Sequence, residues 1–213
     1  MNMLGKNTLS PLLATVLLMA GREGLAQPLQ SDAETLRDQA ALAMLEGIGQ
    51  DDPERIEQAL ELTERLLAAS PEDVSALLTQ TQLNMYRHRY REALASLERA
   101  LPHAPDDGTL RLTRCMLVEQ TRGETAGQAC YRETERQHAA LHESSEPVGF
   151  PWVGAAILGE TPNAEALTDA YLERVRRDGG IERFDLARQS IESLESGRYV
   201  QDVLMMPEQR SVL

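Results

Sequence analysis

Pro71-Glu-Asp-Val-Ser-Ala-Leu-Leu-Thr-Gln-Thr-Gln-Leu-Asn-Met-Tyr86, then Arg87-His-Arg89, then Tyr90-Arg-Glu-Ala-Leu-Ala-Ser-Leu-Glu-Arg-Ala-Leu101 and a closing Pro105, is the stretch that decides the fold. Two runs of strong helix formers flank a short basic turn, so the segment predicts a helix, a tight turn and a second helix. Ser70-Pro-Glu-Asp73 supplies a start signal of cap, proline and acids. Leu77, Leu83, Leu94, Leu97 and Leu101 are expected to fill the contact between the helices, and Ala93 and Ala100 to let them approach closely.

The same pattern recurs on both sides. Counting back 34 residues from Val74 reaches Ala40, inside a run whose buried stripe is Leu36, Ala40, Ala43, Met44 and Gly47. Ser31-Asp-Ala-Glu34 has capping-box form and is expected to start that helix. Asp52 caps the next one, with Pro53 at its first position, and Ile56, Ala59, Leu60, Thr63, Leu66 and Leu67 face inward. Going forward, a third pair begins after Ala104-Pro-Asp-Asp-Gly108. There Gly127 replaces an expected alanine, Thr134 replaces the later small alanine, and Tyr131 keeps the large aromatic position. Glu143-Ser-Ser-Glu-Pro147 is a polar break, and Phe150-Pro-Trp-Val-Gly-Ala-Ala-Ile-Leu158 is expected as a short helix or an extended plug over the end of the array. Thr161-Pro-Asn163 starts a helix to about Arg177, Asp178-Gly-Gly180 ends it, and Ile181 to Ser196 forms a partner closed by Gly197. Val203-Leu-Met-Met206 in the tail is expected to dock on a neighbour.

The 34-residue period, with Ala93, Leu97, Ala100 and Pro105 in register, resembles the tetratricopeptide repeat. That resemblance implies an all-α, short right-handed solenoid of antiparallel helix pairs, with three repeats and a C-terminal capping helix pair. It divides the chain into a signal peptide at 1–26, repeats at 27–142, an apolar connector at 143–160, and capping helices with a tail at 161–213. It also implies a concave partner-binding groove lined by first helices. The matching positions are Ser75, Leu78, Gln82, Met85 and Tyr86 in the second repeat, and Thr109, Leu112, Met116, Glu119 and Gln120 in the third. Methionines adapt to a partner's shape and Tyr86 offers an anchor. Basic and amide residues that clamp a terminal carboxylate in chaperone-binding relatives are missing here.

Composition agrees with helices. The chain has 213 residues and only eight aromatics, so a core must be mostly Leu and Ala. The net charge of −13 argues against nucleic acid and anionic membrane surfaces, which need a cationic face, and favours a basic protein or peptide partner. Lys6, the apolar run Leu9 to Ala20 and the small residues Gly24-Leu-Ala26 read as a secretory signal cleaved after Ala26, which implies a soluble periplasmic or secreted protein. No later stretch is long enough for a membrane span of about 20 residues.

Cys115 and Cys130 are the only cysteines and flank the predicted turn at Arg122-Gly123 symmetrically, so they are expected at the same height on facing helices. An oxidising compartment favours a disulfide; a reducing one would leave two buried small residues. His138 and His142 are four apart, with Glu135 one turn earlier, but His-Ala-Ala-Leu-His lacks the glutamate of the metalloprotease helix, so no metal is assigned. No G-x-S-x-G or phosphate-cradling loop occurs, so neither a catalytic residue nor a cofactor is assigned. The sequence therefore predicts a non-catalytic adaptor. The rival readings are an immunity or inhibitor protein that neutralises a toxin or envelope enzyme and, more remotely, a metal-dependent enzyme built on His138 and His142.

Overall fold

The computed structural model describes residues 32–141 and 148–206. The predicted signal peptide, Ser31, the Glu143–Pro147 break and the last seven residues lie outside them. Every regular element among the described residues is helical. These are α1 (32–50), α2 (Pro53–Ala69), α3 (Val74–Tyr86), α4 (Tyr90–Ala100), a 3-10 turn at Leu101–His103, α5 (Gly108–Arg122), α6 (Glu124–Leu141), α7 (Phe150–Leu158), α8 (Ala164–Glu195) and α9 (Arg198–Val203). No described helix is long and apolar enough to cross a membrane.

Helices pack serially, α2 on α3, α3 on α4, and so on to α8. Short turns make the pairs hairpins. α3 and α5 begin at Val74 and Gly108, and α4 and α6 at Tyr90 and Glu124; both intervals are 34 residues. The caps follow the same interval. Asp73 accepts from the Ala76 amide at 3.0 Å, and Asp107 accepts from Thr109 and Leu110 at 2.9 and 3.0 Å. The cap of α3 is thus Asp73 and not Ser70, which instead ends α2. Asp52 caps α2 as its sequence predicts, accepting from Glu54 and Arg55.

The core follows the expected stripes. Ala40, Ala43, Met44, Ile56, Ala59, Leu66 and Leu83 are buried between α1, α2 and α3, Ala93 and Leu97 lie in the cluster of the next helices, and Leu77 and Ala100 are fully buried. The third pair departs from the second in a coordinated way. At the 34-residue interval Met85, Ala93 and Leu97 become Glu119, Gly127 and Tyr131. Tyr131 is buried and its hydroxyl donates to the Glu119 carboxylate at 2.7 Å. A Cβ on Gly127 would lie 2.4 Å from that of Glu119, so only glycine admits this approach. Burial first, and then the bond to Glu119, raises the Tyr131 phenol well above its ordinary pKa.

Of the two expectations for Phe150–Leu158 the structure shows the short helix, α7, which packs on both α5 and α6, with buried Trp152 close to Gly108. The C-terminal helix pair, by contrast, is corrected. α8 is one 32-residue helix in which helical structure runs through Asp178-Gly-Gly180. Leu167 and Leu194 would be about 40 Å apart on a straight helix. Yet both pack into the cluster around Val153 on the nine-residue α7. α8 therefore bends sharply, and Gly179 marks the place: a Cβ there would lie 3.0 Å from that of Arg183, against about 5–6 Å in a regular turn. Glycine pairs are a known cause of such kinks. After Gly197 in the left-handed region, α9 leads Leu204 fully into the main cluster, with Val203 and Met206 packed against it.

Candidate functional site

The ten predicted groove residues divide by burial. Ser75, Gln82, Thr109 and Gln120 are exposed, and Leu78, Tyr86 and Glu119 are half-buried. Met85, Leu112 and Met116 are core, with 5%, 2% and 1% of their surface exposed, so they cannot touch a partner. The cause for Leu112 is α7. Its Gly154 sits over α5 so closely that a Cβ would be 2.8 Å from Leu112 Cδ2. Leu78 packs against the cluster that holds Leu112. Met85 is enclosed with Ala93, Leu94 and Leu97 in that same cluster. Tyr86 is engaged within the chain, its hydroxyl donating to the Asp51 carboxylate, a bond that raises its phenol pKa. What remains open on this side of α3 and α5 is a set of hydroxyls and amides.

A second feature lies on the opposite side of α3. Gln80 and Asn84 are about 160° round the helix from Gln82, and they form the floor of a furrow of about 460 Å³ between α2 and α4. Ser96 of α4 donates to Gln80 Oε1 at 2.7 Å across it. Glu57, Glu61 and Glu64 of α2 form one wall. Sequence reasoning missed the furrow, although its signal was present: the three glutamates recur at helical spacing on the face of α2 away from its apolar stripe.

A related hollow of about 440 Å³ lies one repeat further on, between α4, α5 and α6. The two linings share four positions at the 34-residue interval, where Glu64, Gln80, Ser96 and Arg99 become Glu98, Arg114, Cys130 and Glu133. Here the cysteine pair is placed. Cys115 and Cys130 stand at disulfide distance, with sulfurs 2.04 Å and Cα atoms 5.3 Å apart. Cys115 is wholly buried, its sulfur 3.3 Å from the Thr134 hydroxyl. Cys130 is half-buried, and Arg114 donates to its sulfur at 3.4 Å. A thiolate reaching Cys130 must expel the Cys115 sulfur as an anion into an apolar core, which disfavours that ionised form and slows reduction.

Among the described residues, no group of three or more His, Cys, Asp or Glu side chains is placed to hold a metal ion. His142 lies outside those residues. No family model matches the chain, and no curated protein or solved structure matches it either.

Proposed function

We propose that the chain is a non-catalytic adaptor of tetratricopeptide-like helix pairs that holds an extended segment of a partner protein and works in the periplasm once its leader is removed. The observation that carries this reading is the 34-residue interval that relates the second and third helix pairs in both their helix starts and their first-helix caps, while α2 begins 37 residues before α4. Stacked pairs of this kind present long surfaces without a reaction centre. Ser75, Gln82, Thr109 and Gln120 supply donors and acceptors for a peptide backbone on the first-helix side. The cysteine pair at disulfide distance supports an oxidising compartment.

The test is photo-crosslinking in intact cells, with the reactive residue placed at Gln82, at Gln120, or at the exposed Arg188 of α8 as a control. Adducts of one discrete size at Gln82 and Gln120, absent at Arg188, are expected. Adducts at all three positions, or none at Gln82 and Gln120, would reject the first-helix side as the binding face.

A further inference from the structure

Four residues change together between the second helix pair and the third. At the 34-residue interval Gln80, Thr81, Ser96 and Ala100 become Arg114, Cys115, Cys130 and Thr134. In the second pair the Ser96 hydroxyl donates to Gln80 and the Thr81 hydroxyl to the Leu77 carbonyl. In the third, the two new polar side chains divide between the two sulfurs. Arg114 donates to Cys130 at 3.4 Å, and the Thr134 hydroxyl lies 3.3 Å from Cys115.

The sulfurs are unequally placed. Cys115 is wholly buried, whereas Cys130 is half-buried and lines the hollow of about 440 Å³ beside Leu101, Pro102 and Pro105. A disulfide-bearing molecule arriving from solvent can therefore reach only the Cys130 sulfur. Arg111, Glu98 and Glu133 also line the hollow, but among the described residues Arg114 is the charged group within hydrogen-bond distance of that sulfur. A guanidinium there favours the thiolate, the form that attacks. Thr134 is itself buried, at 5% exposed, so its hydroxyl is a donor for a Cys115 thiolate where water is excluded. A buried anion left without a donor is costly.

We propose that the cysteine pair is a directed thiol–disulfide exchange site, in which Cys130 is the entry sulfur for a disulfide-bearing oxidant and Cys115 the resolving sulfur. Arg114 and Thr134 are positioning residues for the first and second steps. In the first step the Cys130 thiolate attacks one sulfur of the oxidant, forms a mixed disulfide and expels the other sulfur as a thiolate. In the second, the Cys115 thiolate attacks the Cys130 sulfur, closes the internal bond and expels the remaining half of the oxidant. The two protons lost by the cysteines pass to the two expelled thiolates, so the oxidant's disulfide is reduced to two thiols. Only the sulfurs and their hollow are involved, so the inference is independent of peptide binding on the first-helix side.

The test uses the full chain lacking its leader, reduced and freed of reductant, with glutathione disulfide as oxidant, acid quenching and mass spectrometry. The first adduct of the unsubstituted chain is expected on Cys130. Cys115→Ala, which keeps Cys130, is expected to take up glutathione at least about tenfold faster than Cys130→Ala when both have native helicity by circular dichroism, and the two rates should converge in urea. Internal disulfide formation should rise with oxidant while attack limits it, then level off where the Cys115 step does. Arg114→Gln should lower the initial slope about threefold and leave the plateau. Thr134→Val should lower the plateau about fivefold, the worth of one hydrogen bond, and leave the slope. A first adduct on Cys115, or equal uptake by the two single-cysteine variants at native helicity, would overturn the proposal. A rate that never levels off, or slope and plateau moving together in both variants or in neither, would overturn the parts given to Arg114 and Thr134.

Discussion

Asp73 is the residue at which one substitution tests the most of this structure. Its Oδ1 caps α3 through the Ala76 amide at 3.0 Å, while its Oδ2 accepts from Arg37 Nε at 2.8 Å and from a terminal guanidinium nitrogen at 2.6 Å. It thereby ties α1 to the start of α3 across 36 residues of chain. Asp107 is its counterpart one repeat on, caps α5 in the same way, and is exposed, with no arginine partner among the described residues. Removing a cap costs about 1 kcal/mol. Breaking the Arg37 contact adds about 1 kcal/mol more, discounted because the Arg37 side chain is 36% exposed. Asp73→Ala is therefore expected to cost about 2 kcal/mol, a fall of roughly 4–8 °C in melting midpoint. Asp107→Ala is expected to cost about half as much.

The pH dependence supplies a sharper check on the same residue. Burial pushes the Asp73 carboxyl up, but the Arg37 hydrogen bond and the backbone amides outweigh it and hold the pKa below its ordinary value. A lowered folded pKa means that the contribution is complete above the unfolded value of about 4 and is lost as pH falls through the folded one. Thermal unfolding followed by circular dichroism should therefore show the gap between wild type and Asp73→Asn, which keeps a cap acceptor but loses the charge, closing as pH drops below about 4. Equal losses for Asp73→Ala and Asp107→Ala, or a gap that does not narrow in acid, would refute the assigned role of Arg37.

Other expectations concern the third pair and the bend. Cys115→Ala with Cys130→Ala is expected to cost about 3 kcal/mol for a loop of this size, read from urea unfolding, while the unreduced wild type should show a mass lower by two hydrogens than the reduced protein. Gly127→Val should overpack α5 against α6, costing about 2 kcal/mol, and should release Tyr131 from Glu119, visible as a change in tyrosine absorbance. Gly179→Leu should crowd Arg183 inside the bend of α8 and lower the melting midpoint by a few degrees, about 1 kcal/mol; unchanged stability would show that α8 does not turn there.

Local chemistry determined much of this molecule before any packing was considered. Asp52, Asp73 and Asp107 cap helices because a short carboxylate reaches free amides only two or three residues away, and Asp73 and Asp107 stand one 34-residue interval apart. The positions of Cys115 and Cys130 on facing helices followed from their symmetry about the Arg122-Gly123 turn. Tertiary structure alone decided which first-helix side chains remain open, since Leu112 is covered by α7, which lies about 40 residues further along the chain. It alone showed that Gly127 is a close approach to Glu119, a relation invisible until two helices face each other. It alone also placed Glu98 of α4 beside Arg114 and Arg122 of α5, because whether an acid is neutralised depends on the residue across the hollow, and no periodicity along one helix carries that information.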